Sequence, residues 1–437
     1  MAKDLSTILQ AVNVASLLAE DEDRLNKISR QAYEGYEGDK DSCREWLGRN
    51  EEGMKLAMQI KGAERSKPFQ GSANVMYPGI GSAAMQFSAR AYPNLIPGRE
   101  IVKGRVIGKD ADGEKANKAA RIATHMNWQL NEEMVEWKEE TDRLLTVIPI
   151  TGSCFKETYW SVGLRRIVSH YYPPNEIIMH YKARSMETVP RITKRYDLYP
   201  YQITERIRAG TFIKFDVNEA TAQKDEEGYG KDITPYKSGD EHKPHLFLQQ
   251  HCFLDLDGDG YPEPYVANIH YDTKQIVRIA PRFRVSDIEY GGKDDSKVLR
   301  IAAQQHYTMF TFMPSPDGSI YGSGFGSQLA PLNHVINSVL NMILDAGTLS
   351  NSQGGFMSNQ LQFNTSKASG PIKFGLGEFK RVMSSGDDLR KNIVPLNEFF
   401  KEPSPVLFNL LGFMVQALDR ESSVSELMSG EQSIHNE

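Results

Sequence analysis

Cysteine is scarce in this chain of 437 residues, which contains only Cys43, Cys154 and Cys252. They stand far apart, without a CxxC or CxxH spacing, so the sequence predicts neither a disulfide framework nor a structural zinc site. No run of about 18 apolar residues occurs that could span a bilayer. Residues 1–24 carry apolar side chains at helical spacing and then acids, which disfavours a signal peptide. We therefore expect a protein without a membrane span that is made in a reducing cytosol.

A basic excess is also lacking, because 51 Lys and Arg stand against 57 Asp and Glu, a net charge of −6. A protein that binds nucleic acid tightly normally neutralises phosphates with an excess of bases, so this class is disfavoured. The charge is still compatible with a protein along which a polyanion moves without being bound tightly. The length allows two or three domains of roughly 150 residues each.

Sequence motifs of common enzyme classes are missing. The chain has no GxxxxGK[ST] phosphate loop, no GxSxG elbow and no HExxH metal motif. The stretch YGSGFGS at 321–327 resembles a dinucleotide-binding loop, but Ser327 occupies the third glycine position and a turn precedes it instead of a strand. The sequence thus favours a non-enzymatic protein, while an active site made of dispersed residues would leave no motif.

The spacing of apolar residues predicts an α+β protein without regular βαβ alternation. Residues 1–64 indicate two or three amphipathic helices with breaks near Gly35 and Gly38, and a short helix is predicted over 198–209. A hairpin is predicted around Gly163, and the strands from residue 245 onward are expected to form a second β-rich unit. The predicted strands cover 154–160, 165–172, 176–181, 190–196, 245–257, 264–271, 275–283 and 306–313.

A helix is predicted over 331–346, because proline favours its first turn and Gly347 favours a stop. Apolar residues form a continuous stripe along it, and the other face carries Asn333, Asn337 and Asn341 at i, i+4 spacing. A solvated helix usually carries charged side chains on such a face. The uncharged amides fit a subunit interface or the wall of a water-filled channel, and an ordinary surface face is the alternative.

Two segments after this helix are unusual in composition. Residues 348–370 include no acid and a single base, Lys367, and a loop of this length in a compact protein is usually functional or disordered. Residues 405–418 are apolar nearly all round and would span about 20 Å as a helix, which is too short for a bilayer. They predict a helix that lies in a core or in an interface.

A metal-like motif lies at Asp255, Asp257 and Asp259, where carboxylates occupy alternate positions and a glycine follows. Such a pattern can bind a hard cation such as Ca²⁺. The position of the bidentate glutamate of an EF-hand is Val266, however, and predicted strands flank the motif. A β-hairpin turn rich in Asp and Gly is the competing interpretation.

Six distinctive segments follow one another between about residues 60 and 430. They are KPFQGSANVMYPGI at 67–80, WKEETDRLLTVIPITGSCFKETYW at 137–160, YYPPNEIIMHY at 171–181, FLDLDGDGYPEPY at 253–265, PDGSIYGSGFGSQLAPLNHVINSVLNMILDAG at 316–347 and PSPVLFNLLGFMVQAL at 403–418. Together, and in this order, they resemble the portal protein of short-tailed, double-stranded DNA bacteriophages. Because the similarity is distributed along the chain, it is more specific than a single motif.

The resemblance implies a ring, usually of twelve subunits, that replaces a pentamer at one capsid vertex and has no catalytic activity of its own. Double-stranded DNA would pass through its channel during packaging and ejection, without sequence specificity. The implied partners are further copies of the chain, the terminase large subunit, the major capsid and scaffolding proteins, and tail or adaptor proteins. No membrane and no cofactor are implied. The expected location is the virion, after assembly in the host cytoplasm.

The wing, stem and clip of the family also imply a division of this chain. They would place the wing at 1–197, the first stem helix at 198–214, an insert with the β-containing clip at 215–310, a connection and the second stem helix at 311–347, the channel loop at 348–370 and a return to the wing at 371–437. Family members normally continue past the VSELMSGE segment at 424–431. The resemblance therefore implies a shorter member, a split product or part of a longer protein, in each case without the C-terminal crown or barrel.

The same mapping gives candidate site residues. Those expected to line the DNA channel are Ser352, Gln353, Asn359, Gln360, Gln362, Lys367 and Lys373. Those expected in the stem and subunit interface are Asn333, Asn337, Asn341, Leu332, Val335, Ile336, Val339, Leu340 and Ile343.

Two other functions compete with a portal ring. A head–tail adaptor would share ring assembly but lie outside the capsid, and the expected wing and long loop disfavour it because adaptors are generally small helical proteins. A metal-dependent enzyme around Asp255, Asp257 and Asp259 would need further ligands. The sequence offers no general base or nucleophile beside these aspartates.

Overall fold

The computed structural model describes residues 5–18, 21–62, 65, 69, 71–110, 112–215, 242–256, 258, 260–291, 297–351, 355–357, 361–363, 382–384, 393–395 and 403–428. The chain forms two compact units. The first consists of Met1–Met58, Pro78–Ala330 and Ser422–Glu437, and the second of Gln59–Tyr77 and Pro331–Glu421. Helices and strands are mixed, which confirms the α+β class.

The first unit contains nine helices among its described residues. They are α1 (Leu5–Gln10), α2 (Val14–Leu17), α3 (Glu22–Ser42), α4 (Arg44–Ala57), α5 (Gly79–Leu95), α6 (Glu114–Trp128), α7 (Trp137–Thr151), α8 (Pro200–Arg208) and α9 (Phe325–Gln328). A π-helical turn, Gln129–Glu133, follows α6, and a 3₁₀ turn covers Val285–Asp287. Helix α8 confirms the short helix predicted over 198–209.

The predicted breaks near Gly35 and Gly38 are wrong, because α3 runs through both glycines. A Cβ atom at Gly35 would lie 3.0 Å from the Arg191 guanidinium, so this glycine leaves room for the arginine beside the helix. Arg191 donates two hydrogen bonds to the Asp39 carboxylate on the same helix, at 3.0 and 2.9 Å. Helix α3 instead ends at Ser42, with Cys43 as its C-cap residue.

The strands of the first unit form three antiparallel sheets. They are β1 (Ser153–Ser161), β2 (Arg166–Tyr172), β3 (Ile177–Ile178), β4 (Ile192–Leu198), β5 (His245–Leu254), β6 (Glu263–His270), β7 (Gln275–Pro281), β8 (Ile288–Gly291), β9 (Lys297–Ile301) and β10 (Tyr307–Thr311). The sheet orders are β10-β1-β2, β3-β4-β5-β6-β7 and β8-β9. The hairpin predicted around Gly163 is confirmed by the pairing of β1 with β2.

The expected second β-rich unit is not separate from the first strands. Strand β4 pairs with β5, with Ile192 opposite His251, and β10 pairs with β1, with Cys154 opposite Phe310. The segments predicted as a wing at 1–197 and as an insert at 215–310 therefore share sheets.

Helices α1 to α3 pack on the five-stranded sheet. Asn13, which lies between α1 and α2, joins this part of the chain to the sheet by hydrogen bonds. Its Oδ1 accepts the N–H groups of Ala15 and Ile279, both at 3.0 Å. Its Nδ2 donates to the carbonyl oxygens of Val277 at 3.0 Å and Thr211 at 3.2 Å. A side-chain amide has two donor hydrogens and two acceptor lone pairs, so Asn13 uses its full capacity.

The second unit contains most of α10 (Ala330–Asn351) and of α11 (Pro405–Met428), with two short ladders. Strand β11 (Gly355–Met357) pairs with β14 (Ile393–Pro395), and β12 (Leu361–Phe363) pairs with β13 (Val382–Ser384). The loop predicted over 348–370 is therefore interrupted by the end of α10 and by β11 and β12.

Helix α10 does not stop at Gly347, as the sequence predicted, but continues to Asn351. Beyond the glycine, Thr348 Oγ1 donates to the carbonyl oxygen of Leu344 at 2.8 Å, and Asn351 Nδ2 donates to that of Gly347 at 2.9 Å. A glycine inside a helix costs only about 1 kcal/mol relative to alanine, so it does not by itself end the helix.

Candidate functional site

Three side chains of α10, one turn apart, bind an extended segment of the same unit, residues 73–77. Each side-chain oxygen accepts one backbone N–H: Asn337 from Tyr77 at 2.7 Å, Asn341 from Val75 at 2.8 Å and Asp345 from Ala73 at 2.6 Å. Residues four apart on a helix rise by about 6 Å, and alternate residues of an extended chain are about 6.6 Å apart. The two repeats match, so the helix face forms a ladder of acceptors for a strand-like segment. We call Asn337, Asn341 and Asp345 the side-chain ladder.

Asp345 extends this ladder beyond the asparagines that the sequence singled out. It is buried, and its second carboxylate oxygen lies 3.5 Å from the guanidinium of Arg65. The i, i+4 spacing could have pointed to Asp345, since it lies four residues after Asn341. The bonded segment could not have been found in this way, because its residues lie some 260 positions earlier in the chain.

Most residues predicted for the subunit interface are buried within the single chain. The buried ones are Asn333, Asn341, Ile336, Val339 and Ile343, and the partly exposed ones are Leu332, Asn337 and Leu340. The amide of Asn333 makes no hydrogen bond within the described part of the chain. Of the predicted set, Val335 alone is exposed, by 42%.

The apolar surface that α10 exposes also includes Met342, exposed by 54%, and Leu344, exposed by 41%. Neither was predicted at an interface. Val335 and Met342 are seven residues apart and therefore share a helix face, which is a spacing that the sequence could have shown. Val335 and Met342 form what we call the exposed α10 surface, whereas Leu344, nine residues after Val335, lies on about the opposite side of the helix.

Helix α11 also exposes large apolar side chains, although its sequence predicted a buried position in a core or an interface. Val406, Phe408 and Phe413 are exposed in the single chain, the last by 65%. Leu418 is buried. The core alternative is therefore wrong for these three residues, and the interface alternative stays a prediction.

Most residues predicted for the DNA channel lie outside the described residues. These are Ser352, Gln353, Asn359, Gln360, Lys367 and Lys373. Gln362 lies in β12, opposite Met383 of β13. A position in a channel stays a prediction for all seven.

The aspartate motif forms a turn around its first carboxylate. Asp255 Oδ1 accepts the N–H of Gly258 at 2.6 Å, and Oδ2 accepts that of Gly260 at 3.1 Å. Arg24 donates to the carbonyl oxygens of Asp255 and Leu256, at 3.2 and 3.0 Å. These bonds fit the turn interpretation, and binding of a cation stays a prediction. Asp257 and Asp259 lie outside the described residues.

The glycines of the YGSGFGS segment serve close backbone packing. A Cβ atom at Gly324 would lie 2.4 Å from the carbonyl oxygen of Ile150, and one at Gly326 would lie 2.6 Å from the same oxygen. Both distances are shorter than real Cβ atoms show. Side chains at these positions would therefore displace main chain. This packing explains the glycines without a dinucleotide.

A polar cavity of about 510 Å³ in the first unit was not predicted from the sequence. Side chains from β1, β2 and the strands β4 to β7 line it. Lys194 Nζ donates to Glu157 Oε2 at 2.6 Å, and the two side chains are only 9% and 5% exposed. Neither ring nitrogen of His251, which is also buried, has a hydrogen-bond partner among the described residues.

Burial favours the neutral forms of several groups around this cavity. It lowers the pKa of His251 well below its ordinary value, with a further contribution from Arg282. It also raises the pKa of Tyr172 and Tyr307, to which the charge of Glu157 adds. The described lining residues include no serine, threonine or cysteine. The cavity therefore supplies hydrogen-bonding groups and a paired charge, but no hydroxyl or thiol nucleophile of these three kinds.

The cavity had no sequence signal because its lining residues come from six strands in two sheets and from α8. They are spread from residue 157 to residue 306, and only the pairing of the strands brings them together. Lys194 and Glu157 are 37 positions apart.

Comparison of the chain with protein-family models and with curated proteins finds no match. Among the described residues, no helix is long and apolar enough to cross a membrane.

Proposed function

We propose that the chain is the subunit of a phage portal ring, of the twelve-subunit kind, through which double-stranded DNA is packaged and ejected. The observation that carries the proposal is the exposure of large apolar side chains on both long helices of the second unit, α10 and α11. On each helix two of these residues are seven positions apart and therefore share a face: Val335 with Met342, and Val406 with Phe413. An exposed apolar patch often marks a contact with another protein. The distributed resemblance to portal proteins of short-tailed phages indicates which contact this is.

The side-chain ladder supports a subunit contact through the exposed α10 surface and not through the polar face of the helix. The polar side chains of the ladder are already bonded to residues 73–77 of the same unit, so they are not available to a neighbouring copy. The exposed α10 surface is available. A ring closes through head-to-tail contacts, in which one patch of a subunit meets a different patch of the next. The exposed apolar residues of α10 and α11 would supply two such patches.

The charge of the chain is compatible with DNA that moves through the ring. Each phosphate that a protein neutralises adds affinity, and tight binding would stall translocation. A subunit with a net charge of −6, repeated around a ring, would repel DNA over most of the lumen. The acid-free segment 348–370, with Lys367, and the nearby Lys373 would keep the duplex centred.

In this role the protein has no catalytic activity of its own. The terminase large subunit would dock on the ring and drive packaging, the major capsid and scaffolding proteins would surround it at one vertex, and tail or adaptor proteins would replace the terminase. The protein would be made in the host cytoplasm and would end in the virion.

Charge substitutions on the exposed α10 surface test the proposal. Met342→Asp places a charge in the proposed contact, whereas Asn351→Asp places the same charge at an exposed position nine residues later, on about the opposite side of the helix. Sedimentation velocity should show a large assembly for the wild type and Asn351→Asp, and a smaller species for Met342→Asp with unchanged circular dichroism. The proposal fails if the wild type is monomeric at all concentrations, or if folded Met342→Asp sediments like the wild type.

A further inference from the structure

Two buried histidines face each other in the five-stranded sheet of the first unit. His245 begins β5 and His270 ends β6, and each is only 2% exposed. His245 Nδ1 lies 3.2 Å from His270 Nε2. In the pairing of β5 with β6, Phe247 lies opposite His270. His245 is two residues before Phe247, so the two imidazoles lie at the end of the sheet where β5 begins and β6 ends.

A carboxylate completes a group of three metal-binding side chains. Asp272 follows β6 in the tight turn before β7, and its side chain is exposed. Ligand atoms of His245, His270 and Asp272 all lie within 4.8 Å of one another. Because Asp272 is exposed, its side chain is free to approach an ion held by the two rings.

The nitrogen separation matches the geometry of a tetrahedral metal site. With metal–nitrogen bonds of about 2.0–2.1 Å and tetrahedral angles, two ligand nitrogens are about 3.3 Å apart. The observed 3.2 Å is close to this value. Imidazole and carboxylate ligands suit zinc and related transition metals, whereas Ca²⁺ and Mg²⁺ prefer oxygen ligands alone.

The second ring nitrogen of His270 has a partner that would orient a ligand. Its Nδ1 lies 2.9 Å from Thr273 Oγ1. Metal-binding histidines generally use their other nitrogen in such a bond, which fixes the ring and its tautomer. The backbone N–H of Thr273 also points at this Nδ1, at 3.4 Å, so metal binding requires the tautomer in which Nδ1 donates to Thr273 Oγ1. In that tautomer the Nε2 lone pair is available on the side of His245.

We propose that His245, His270 and Asp272 bind one divalent transition-metal ion of the zinc type, with a fourth position open to water. The ion would tie the turn between β6 and β7 to the start of β5. Since it binds the folded chain, it would stabilise this sheet in proportion to the logarithm of its concentration. The alternative is a simple hydrogen bond between two neutral rings.

The test is a titration of the chelator-treated full-length protein with Zn²⁺ against a chromophoric competitor, and with Co²⁺ as a spectroscopic probe. The wild type should bind one equivalent of Zn²⁺, melt at a higher temperature with it, and give the intense visible absorption of tetrahedral Co²⁺. Asp272→Asn, at an exposed position, should fold normally and lose affinity by roughly tenfold or more. His270→Asn should abolish the Co²⁺ spectrum.

His125→Gln is the matched control, because it removes an exposed histidine of α6 far along the chain from this group. It should bind Zn²⁺ and Co²⁺ as the wild type does. The proposal is overturned if the wild type shows no tetrahedral Co²⁺ spectrum, or if Asp272→Asn keeps the wild-type affinity. It is equally overturned if His125→Gln removes the bound ion.

Discussion

Asn341 of α10 pairs with both backbone polar groups of Val75. Its Oδ1 accepts the Val75 N–H at 2.8 Å, and its Nδ2 donates to the Val75 carbonyl oxygen at 3.1 Å. The side-chain amide thus takes the place of a neighbouring strand residue. Asn337 and Asp345 continue the pattern with Tyr77 and Ala73, and helix and segment are joined along three turns.

Replacing Asn341 by alanine should release the segment around Val75. Both backbone groups of Val75 would lose their partner, and a part-buried polar group left unpaired costs about 1–3 kcal/mol. Urea unfolding should show this loss, and hydrogen exchange of the Val75 amide should accelerate. Ser338→Ala, on the exposed side of the same helix, should change neither quantity. An unchanged exchange rate for Val75 in Asn341→Ala would contradict the role of the ladder.

Breaking the buried pair of Glu157 and Lys194 should strongly destabilise the first unit. Lys194→Met leaves the Glu157 carboxylate buried without its partner, which typically costs about 3–5 kcal/mol. The double variant Lys194→Met/Glu157→Met removes both charges and should recover much of the loss. Chemical denaturation of the wild type, both single variants and the double variant measures the coupling. If the single variants and the double variant are equally unstable, packing rather than charge dominates the site.

Lys156 should make the protein more stable as the pH rises from about 8 to 10.5. Burial lowers its pKa to about 8 from an ordinary 10.5, with Glu140 opposing the shift. In this window the unfolded chain binds the proton and the folded chain does not, so the free energy of unfolding increases with pH. Below pH 8 the buried charge is present in the folded state and its cost is complete.

Lys156→Met should remove this cost and this pH dependence. Near pH 7 the variant should be more stable than the wild type by about 2 kcal/mol. This figure is the free-energy cost of the lowered Lys156 pKa less the free energy of the lost hydrogen bond from Lys156 to Thr141. The difference should shrink as the pH rises to 10.5. Denaturation at pH 7 and pH 10 measures it, with the exposed Lys118→Met as control. A stability difference that does not vary with pH would refute the account.

An acid placed in segment 348–370 should hinder packaging if this segment lines the channel. Ser352→Asp adds a negative charge that would repel the DNA backbone, whereas Ser352→Asn changes the shape similarly without charge. Gln353→Glu is a second substitution of the same kind. The amount of DNA packaged per particle should fall in the acidic variants and not in Ser352→Asn. Normal filling in both acidic variants would exclude the channel assignment of this segment.

Local elements were predictable because their signals are local. Proline at the start of α8, and the alternation of β1 and β2 around Gly163, placed a helix and a hairpin correctly. The predicted stop at Gly347 was wrong, because a single glycine costs a helix only about 1 kcal/mol and α10 continues to Asn351.

Long-range relationships were not predictable from the pattern. The asparagines of α10 were recognised as unusual, but the sequence does not show that their partners are backbone groups of residues 73–77. The joining of β4 and β5 into one sheet depends on pairings such as Ile192 with His251, and many registers are compatible with the same alternation. The cavity around Lys194 exists only once these strands are paired.

The most direct test of the proposed function is the mass and symmetry of the purified full-length protein, from native mass spectrometry and negative-stain class averages. The account predicts a closed ring near twelve-fold symmetry with a central hole. Particles that stay monomeric or dimeric across the accessible concentration range, without a ring in any class average, would contradict it.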